Sequence, residues 1–289
     1  MIFWRIVDNQ LYSVGEVENL GFEKLEGLRI PDEYLVNQEF MVMRTAHGIG
    51  DWGIISAMPR LLKEKYPDCK VYVPSVNLLE KLFGQDHNNV HTIFDNNPFV
   101  DEFVDDMKGE VFHDHYRIYD KDNTDIPLLK QMLKFWQFTE EEMSDSQPEM
   151  YWSNEEKKFG DEIIKEYVGN KEFGSLLVSD RFGTQDGRHD EKSYKKDVRV
   201  MSKVLNENPL PYFYYSYKPL KETPFDFIDK VLDMRHIDLR IQLYIKSIAK
   251  LNVSNQCGTN HLMVRYSNCY ESQRQYPIAH NFVDGEVYL

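Results

Sequence analysis

Cysteine is scarce in this 289-residue sequence, with only Cys69, Cys257 and Cys269, none in a CxxC spacing. That excludes a disulfide framework and a thiolate zinc site, and it points to a reducing compartment. Long apolar runs are also missing. No stretch of about 18 apolar residues occurs, and the N-terminal residues 1–8 turn polar too early for a signal peptide. The expectation is a soluble, cytoplasmic protein without a transmembrane segment. Positive charge is in deficit, with 34 Lys and Arg against 48 Asp and Glu, a net charge of −14. Such a surface repels polyphosphate backbones and anionic membranes, so nucleic acid is not an expected partner. A small anionic ligand is compatible with it, because a local group of amides and cations overcomes an unfavourable average field. No internal repeat or low-complexity tract is apparent, which argues against a solenoid or array.

What is present is ample core material. Hydrophobic residues make up 42% and aromatics 13%, so the chain should fold, and its length suits two domains of roughly 100–150 residues each. Residues 3–7 and 11–14 alternate apolar and polar positions around Asp8-Asn9-Gln10, as a small hairpin does. Phe40-Met41-Val42-Met43 reads as a strand, followed by a glycine-rich loop over 47–53. Ile54, Ile55, Met58, Leu61 and Leu62 then repeat with helical spacing up to Tyr66-Pro67. Lys70-Val71-Tyr72-Val73 reads as a second strand, parallel to the first because a helix separates them. Further along, 90–94 is a candidate strand and 128–138 a helix. The acidic, breaker-rich stretch 139–155 reads as a linker. The second half alternates in the same way: a helix over 155–168, strand 175–179, a polar loop over 180–190, helix 198–205, strand 212–216, helix 224–232, helix 241–249 and strand 251–254. Alternating strands and helices predict parallel sheets.

The stretch Gly48-Ile49-Gly50-Asp51-Trp52-Gly53 matches GxGxxG between a strand and a helix, the place of a dinucleotide fingerprint. The fingerprint needs an acid at the end of the next strand to hold ribose hydroxyls, and Val71-Tyr72-Val73 runs instead into Pro74-Ser75-Val76. Asp51 would also set a carboxylate beside a bound pyrophosphate. The loop therefore suits a general base better than a phosphate cradle. The plainer alternative makes Asp51 a helix N-cap with glycines forming the turn.

Arg44-Thr45-Ala46-His47-Gly48-Ile49-Gly50-Asp51, then Met58-Pro59-Arg60-Leu61-Leu62-Lys63-Glu64-Lys65-Tyr66-Pro67 resembles the opening of the lipopolysaccharide (ADP-heptose) heptosyltransferase family. Asn96-Asn97-Pro98-Phe99-Val100-Asp101-Glu102 resembles that family's Asn-Pro-x-Val-Asp-Glu segment. Leu251-Asn252-Val253-Ser254-Asn255-Gln256-Cys257-Gly258-Thr259-Asn260-His261-Leu262 is similar to its donor-binding strand, loop and helix, although Gln256-Cys257 stands where the family carries an acid before the glycine. Pro59, which costs about 3 kcal/mol inside a helix, matches a proline that interrupts the family's helix.

The resemblance implies a GT-B architecture: two Rossmann-like, doubly wound parallel-sheet domains facing across a cleft. Residues 1–39 then form an N-terminal β extension, 40–150 the acceptor domain and 151–289 the nucleotide-sugar domain. It implies a glycosyltransferase that moves a sugar from a nucleotide-diphosphate sugar to a hydroxyl of a glycan or glycolipid acceptor, inverting and without a metal or other cofactor. Such chemistry needs a base for the acceptor proton and something cationic or dipolar for the departing diphosphate. Asp51 takes the first role. Gly48, Gly50, Gly258 and the amides of Thr259, Asn260 and His261 belong to the donor-binding set, with Lys192 and Lys195, which match a Lys-x-Trp-like context at Lys192-Ser193-Tyr194.

Simpler readings stand beside these. The charged run Arg181, Arg188, Lys192 and Lys195 also suits a solvated loop. Gly258–His261 also suits an ordinary turn with a capped helix, and Asp238 a helix cap. His113-Asp114-His115 has metal-ligand residues without a third partner at motif spacing. A non-catalytic nucleotide-sugar-binding protein and an NAD(P)-dependent oxidoreductase are the rival functions.

Overall fold

The computed structural model describes residues 3–7, 10–14, 39–44, 48–84, 88–108, 110–113, 127, 129–130, 133, 138–178, 191–216, 225, 230–233, 236–255, 258–272 and 285–289. The chain divides into two compact units, with the division in sequence between Tyr151 and Trp152. In the first unit, β1 (Phe3–Val7) and β2 (Gln10–Val14) form the expected antiparallel hairpin. The main sheet holds four parallel strands in the order β5-β4-β3-β6: β3 is Glu39–Met43, β4 Lys70–Pro74, β5 Glu102–Val104 and β6 Glu110–His113. Phe40, Met41, Val42 and Met43 are all buried, so β3 is covered on both faces, as a central parallel strand must be. The helices are α1 (Ile49–Ile54), α2 (Met58–Lys65), α3 (Val76–Phe83) and α4 (Asn89–Phe94).

The second unit is built from α5 (Asn154–Tyr167), β7 (Gly174–Leu177), α6 (Glu191–Glu207), β8 (Tyr212–Ser216), β9 (Lys230–Asp233), α7 (Leu239–Ile248), β10 (Leu251–Asn255), α8 (Gly258–His261), β11 (Asn268–Ser272) and β12 (Glu286–Tyr288). Its six strands are parallel in the order β12-β11-β10-β7-β8-β9. Leu176, Tyr212, Tyr214, Leu251 and Val253 meet α6 through Met201, Val204 and Leu205 on one face. Leu177, Phe213, Tyr215 and Leu232 meet Ile163 of α5 and Ile245 of α7 on the other. Helices on both faces of a parallel sheet make this unit doubly wound. The aromatic strand β8 is buried, and the Tyr212 hydroxyl donates to the Asn208 carbonyl at 2.7 Å.

Several expectations are corrected. Residues 90–94 form helix α4, because Val90, Ile93 and Phe94 bury one helical face and the Phe94 ring meets Trp52 edge-on at 6.2 Å. Lys230–Asp233 is a strand paired with β8, and the helix expected over 224–232 does not extend there. The helix expected across Pro59 is two helices, and Pro59 sits in the first turn of α2, where its missing N–H breaks no hydrogen bond. The stretch 139–155 is not a free linker. Met143, Ser146, Glu149 and Met150 are buried, and Arg60 donates to Glu149 at 2.8 Å and to the Asp145 carbonyl at 2.6 Å. Leu129, Lys130 and Leu133 are helical within the expected helix at 128–138, and Leu129 and Leu133 are buried; Phe138 is buried but not helical, and residues 128, 131–132 and 134–137 lie outside the described residues.

A capping box starts α5: Ser153 Oγ accepts from the Glu156 amide, and the Glu156 carboxylate accepts from the Ser153 amide. Glu156 also pairs with Arg240 of α7 through Nε and Nη2. Burial works against the charged carboxylate, but Arg240 and the Ser153 amide outweigh it and hold Glu156 below its usual value. A carboxyl depressed in the folded state stabilises at neutral pH, and that contribution is lost as pH falls through the folded value. Glu156→Gln should therefore cost about 1–3 kcal/mol at pH 7 in urea unfolding. The difference from wild type should shrink as pH drops below the unfolded-state value of about 4.3.

Candidate functional site

Strand order locates the candidate sites before any side chain does. In the second unit, counting strands as the chain visits them, the order reads 3-2-1-4-5-6, that of a dinucleotide-binding sheet. It reverses between β7 and β10, so the crevice lies beyond the carboxyl ends of those two strands. The first unit repeats the pattern over four strands as 3-2-1-4, reversing between β3 and β6. The loop after β3 and the loop after β10 thus both leave a reversal point. These loops carry Gly48–Asp51 and Gly258–His261.

Asp51 is the third residue of α1, and the N-cap is Gly48, with no side-chain cap hydrogen bond. The N-cap alternative for Asp51 is therefore overturned. Its side chain is 42% exposed and lies near Arg44, the residue that follows β3. Arg44 is 1% exposed; its Nη1 donates to the Asp51 carbonyl at 2.5 Å, and its Nη2 lies 3.4 Å from Asp51 Oδ1. The other carboxylate oxygen lies over Gly48, where an added Cβ would come within 2.6 Å of Oδ2. Gly50 lies inside α1, so Gly48 alone of the two marks the turn.

The dinucleotide alternative also meets a local obstacle. β4 ends at Pro74, and Ser75 caps α3 by accepting from the Leu78 amide while its hydroxyl donates to Asp105. The position that would need a free ribose-binding acid carries a serine held as a helix cap.

In the second unit, β10 ends with Ser254 and Asn255, both buried, and α8 follows as a single turn with Thr259, Asn260 and His261 buried. The Asn260 amide nitrogen lies 3.4 Å from the Tyr270 carbonyl. One turn adds little dipole, so an anion here would depend on individual main-chain amides. Lys192 and Lys195 lie in the first turns of α6, not in a solvated loop. Lys195 is exposed; the side chain of Lys192, and Arg181 and Arg188, lie outside the described residues. Asp238 is the N-cap of α7 and accepts from the Arg240 amide at 2.8 Å, which supports its reading as a helix cap. Among the described residues no cluster of three metal-ligating side chains occurs, and Asp114 and His115 lie outside them. Among the described residues no helix is long and apolar enough to cross a membrane.

Sequence reading missed two residues beside these loops. One is Arg44, given no role although it ends β3 as a lone cation after four apolar residues. The other is Asp197, fully buried on α6. It accepts from Ser272 at 2.8 Å and from the Asn255 side chain, so it ties α6 to the ends of β10 and β11. Burial pushes its carboxyl up, against the pull of Ser272, Asn255 and Lys196. For an acid raised in the folded state the penalty is absent below the unfolded-state value of about 3.9, grows as pH rises from there to the folded value and is full above it. Asp197→Asn, with Asn255 turning its amide, should raise the thermal midpoint at pH 7, and the gain should vanish toward pH 4.

No family model matches the sequence, and no curated protein matches it. Solved structures do match its fold. A glycosyl transferase family 9 protein from Veillonella parvula superposes with a TM-score of 0.56 at 10% identity, over 87% of this chain and 85% of that one. E. coli ADP-heptose LPS heptosyltransferase II superposes with a TM-score of 0.50 at 8% identity, over 87% and 90%. At these identities the likeness is one of fold: α/β, with two parallel sheets.

Proposed function

We propose that this chain is a glycosyltransferase that moves a hexosyl or heptosyl group from a nucleoside-diphosphate sugar to a hydroxyl of a glycan or lipid-linked acceptor. The observation that carries the reading is Asp51: an exposed carboxylate, not a phosphate cradle, at the reversal point of the first sheet. The fold shared with a heptosyltransferase and a family 9 glycosyl transferase supports it.

In this reading Asp51 takes the acceptor proton while the acceptor oxygen bonds to the anomeric carbon and the bond from that carbon to the diphosphate breaks. A single displacement inverts the anomeric centre. The departing diphosphate is held by the main-chain amides of Gly258–His261 with Lys192 and Lys195, which supply the charge stabilisation a metal would otherwise provide. Gly258 lets the donor approach the backbone closely, Gly48 shapes the turn before Asp51, and Gly50 lies in the first turn of α1 beside it.

The test is thermal stabilisation by ADP, UDP, GDP, CDP, CMP and NAD(P), followed by ADP-heptose, ADP-glucose, UDP-glucose and GDP-mannose as a donor panel. A ligand at 100 times its Kd adds about 2.7 kcal/mol. Stabilisation by one nucleoside diphosphate and its sugar is the expected result. Stabilisation by NAD(P) alone would overturn the reading and restore the dinucleotide alternative.

A further inference from the structure

We infer that Arg44 is a positioning residue for Asp51, holding its main chain by one nitrogen and biasing the direction of its carboxylate with the other. The inference rests on Asp51 being the proton acceptor of the proposed reaction.

The two contacts this guanidinium makes with Asp51 differ in kind. Nη1 donates to the Asp51 carbonyl, within hydrogen-bond reach. Nη2 lies 3.4 Å from Oδ1, beyond the 2.7–3.2 Å range of a well-formed N–H···O bond. The strong contact fixes where the first turn of α1 sits, and the weak one biases the carboxylate rotamer. A bidentate clamp would have held both carboxylate oxygens, whereas here only Oδ1 faces Arg44 and Oδ2 is turned away from Nη2 toward Gly48. Gly48 supplies the second wall. Its missing Cβ leaves the space that Oδ2 occupies, so the carboxylate lies between a buried cation and bare backbone. Burial of Arg44 at the end of β3 anchors this arrangement to the central strand.

Gly48→Ala and Arg44→Gln disturb the same carboxylate from opposite sides, and the first leaves the buried cation untouched. With the fastest donor of the panel above, and release of nucleoside diphosphate as the readout, Arg44→Gln should lower kcat about 10–100-fold and leave the donor KM within twofold. Arg44→Lys should recover at least fivefold of that loss. Gly48→Ala should lower kcat about 100-fold, the scale of an ångström's misplacement at a reacting group. Because Arg44 acts through Asp51, Arg44→Gln added to Asp51→Asn should cost nothing further; a purely structural arginine would add its own loss. If Arg44→Gln does not fold, Gly48→Ala and Arg44→Lys carry the test. The inference is overturned alone if Asp51→Asn is inactive while Arg44→Gln and Gly48→Ala stay within threefold of wild type. Full turnover by Asp51→Asn overturns the base assignment and this inference with it.

Discussion

Asp51→Asn should lower kcat for sugar transfer by about 100- to 10,000-fold, the usual contribution of a positioned general base. Donor-induced stabilisation should stay unchanged, because the residues assigned to the diphosphate lie in the other unit. The substitution keeps the shape of the side chain and its place over Gly48, so the loss reports proton acceptance and not a disturbed turn. A first-turn aspartate that only complements the helix dipole is worth about 0.3–1 kcal/mol of stability and nothing in turnover. Steady-state release of nucleoside diphosphate, set beside a urea midpoint for the same variant, separates the two roles.

The largest effects on stability are expected where Gly174, the first residue of β7, packs on Tyr212. A Cβ there would lie 2.2 Å from Tyr212 Cε1 and 2.5 Å from Cδ1. The ring cannot swing clear, because Tyr212 is 2% exposed and its hydroxyl is held by the Asn208 carbonyl. Gly174→Ala should therefore cost about 1–3 kcal/mol or more, as overpacking of a core does. Tyr212→Ala alone leaves a cavity and costs about 3–5 kcal/mol, by analogy with other buried aromatics. The double variant should be less destabilised than the sum of the two, since the alanine methyl then has somewhere to go. Additive losses in urea unfolding would show that the contact is not the source of the cost.

Sequence pattern located most of the scaffold. β3 is a short apolar run beside turn residues, β10 alternates apolar Leu251 and Val253 with polar residues, and four aromatics in succession mark β8 as a buried strand. It failed where a short apolar segment has two readings. Val90, Ile93 and Phe94 satisfy helical spacing as well as a β-rich composition, and packing on Trp52 decides between them. At Lys230–Asp233 the free edge of β8 captured residues whose periodicity read as helix. The first two turns of α6 are polar, so apolar periodicity revealed that helix only from Val198.

The candidate site divides in the same way. Asp51 and the loop after β10 carried motif-like signals, because loops at strand ends use glycine and unusual polar residues. Arg44 and Asp197 carried none, since a single charged residue in a sequence does not disclose which carbonyl or hydroxyl it will meet. The strand order that places both loops at reversal points depends on long-range pairing, such as β10 against β7, and no local pattern encodes it.

The most direct measurement of the central claim is incubation of the protein with the nucleotide sugar that stabilises it and a glycan or glycolipid acceptor, following nucleoside diphosphate release and acceptor mass together. The account predicts release matched one for one by a glycosyl mass gain on the acceptor, lost in Asp51→Asn. Tight binding of the nucleotide sugar with no release across the acceptors offered would contradict it and identify a binding protein that has the fold without the turnover.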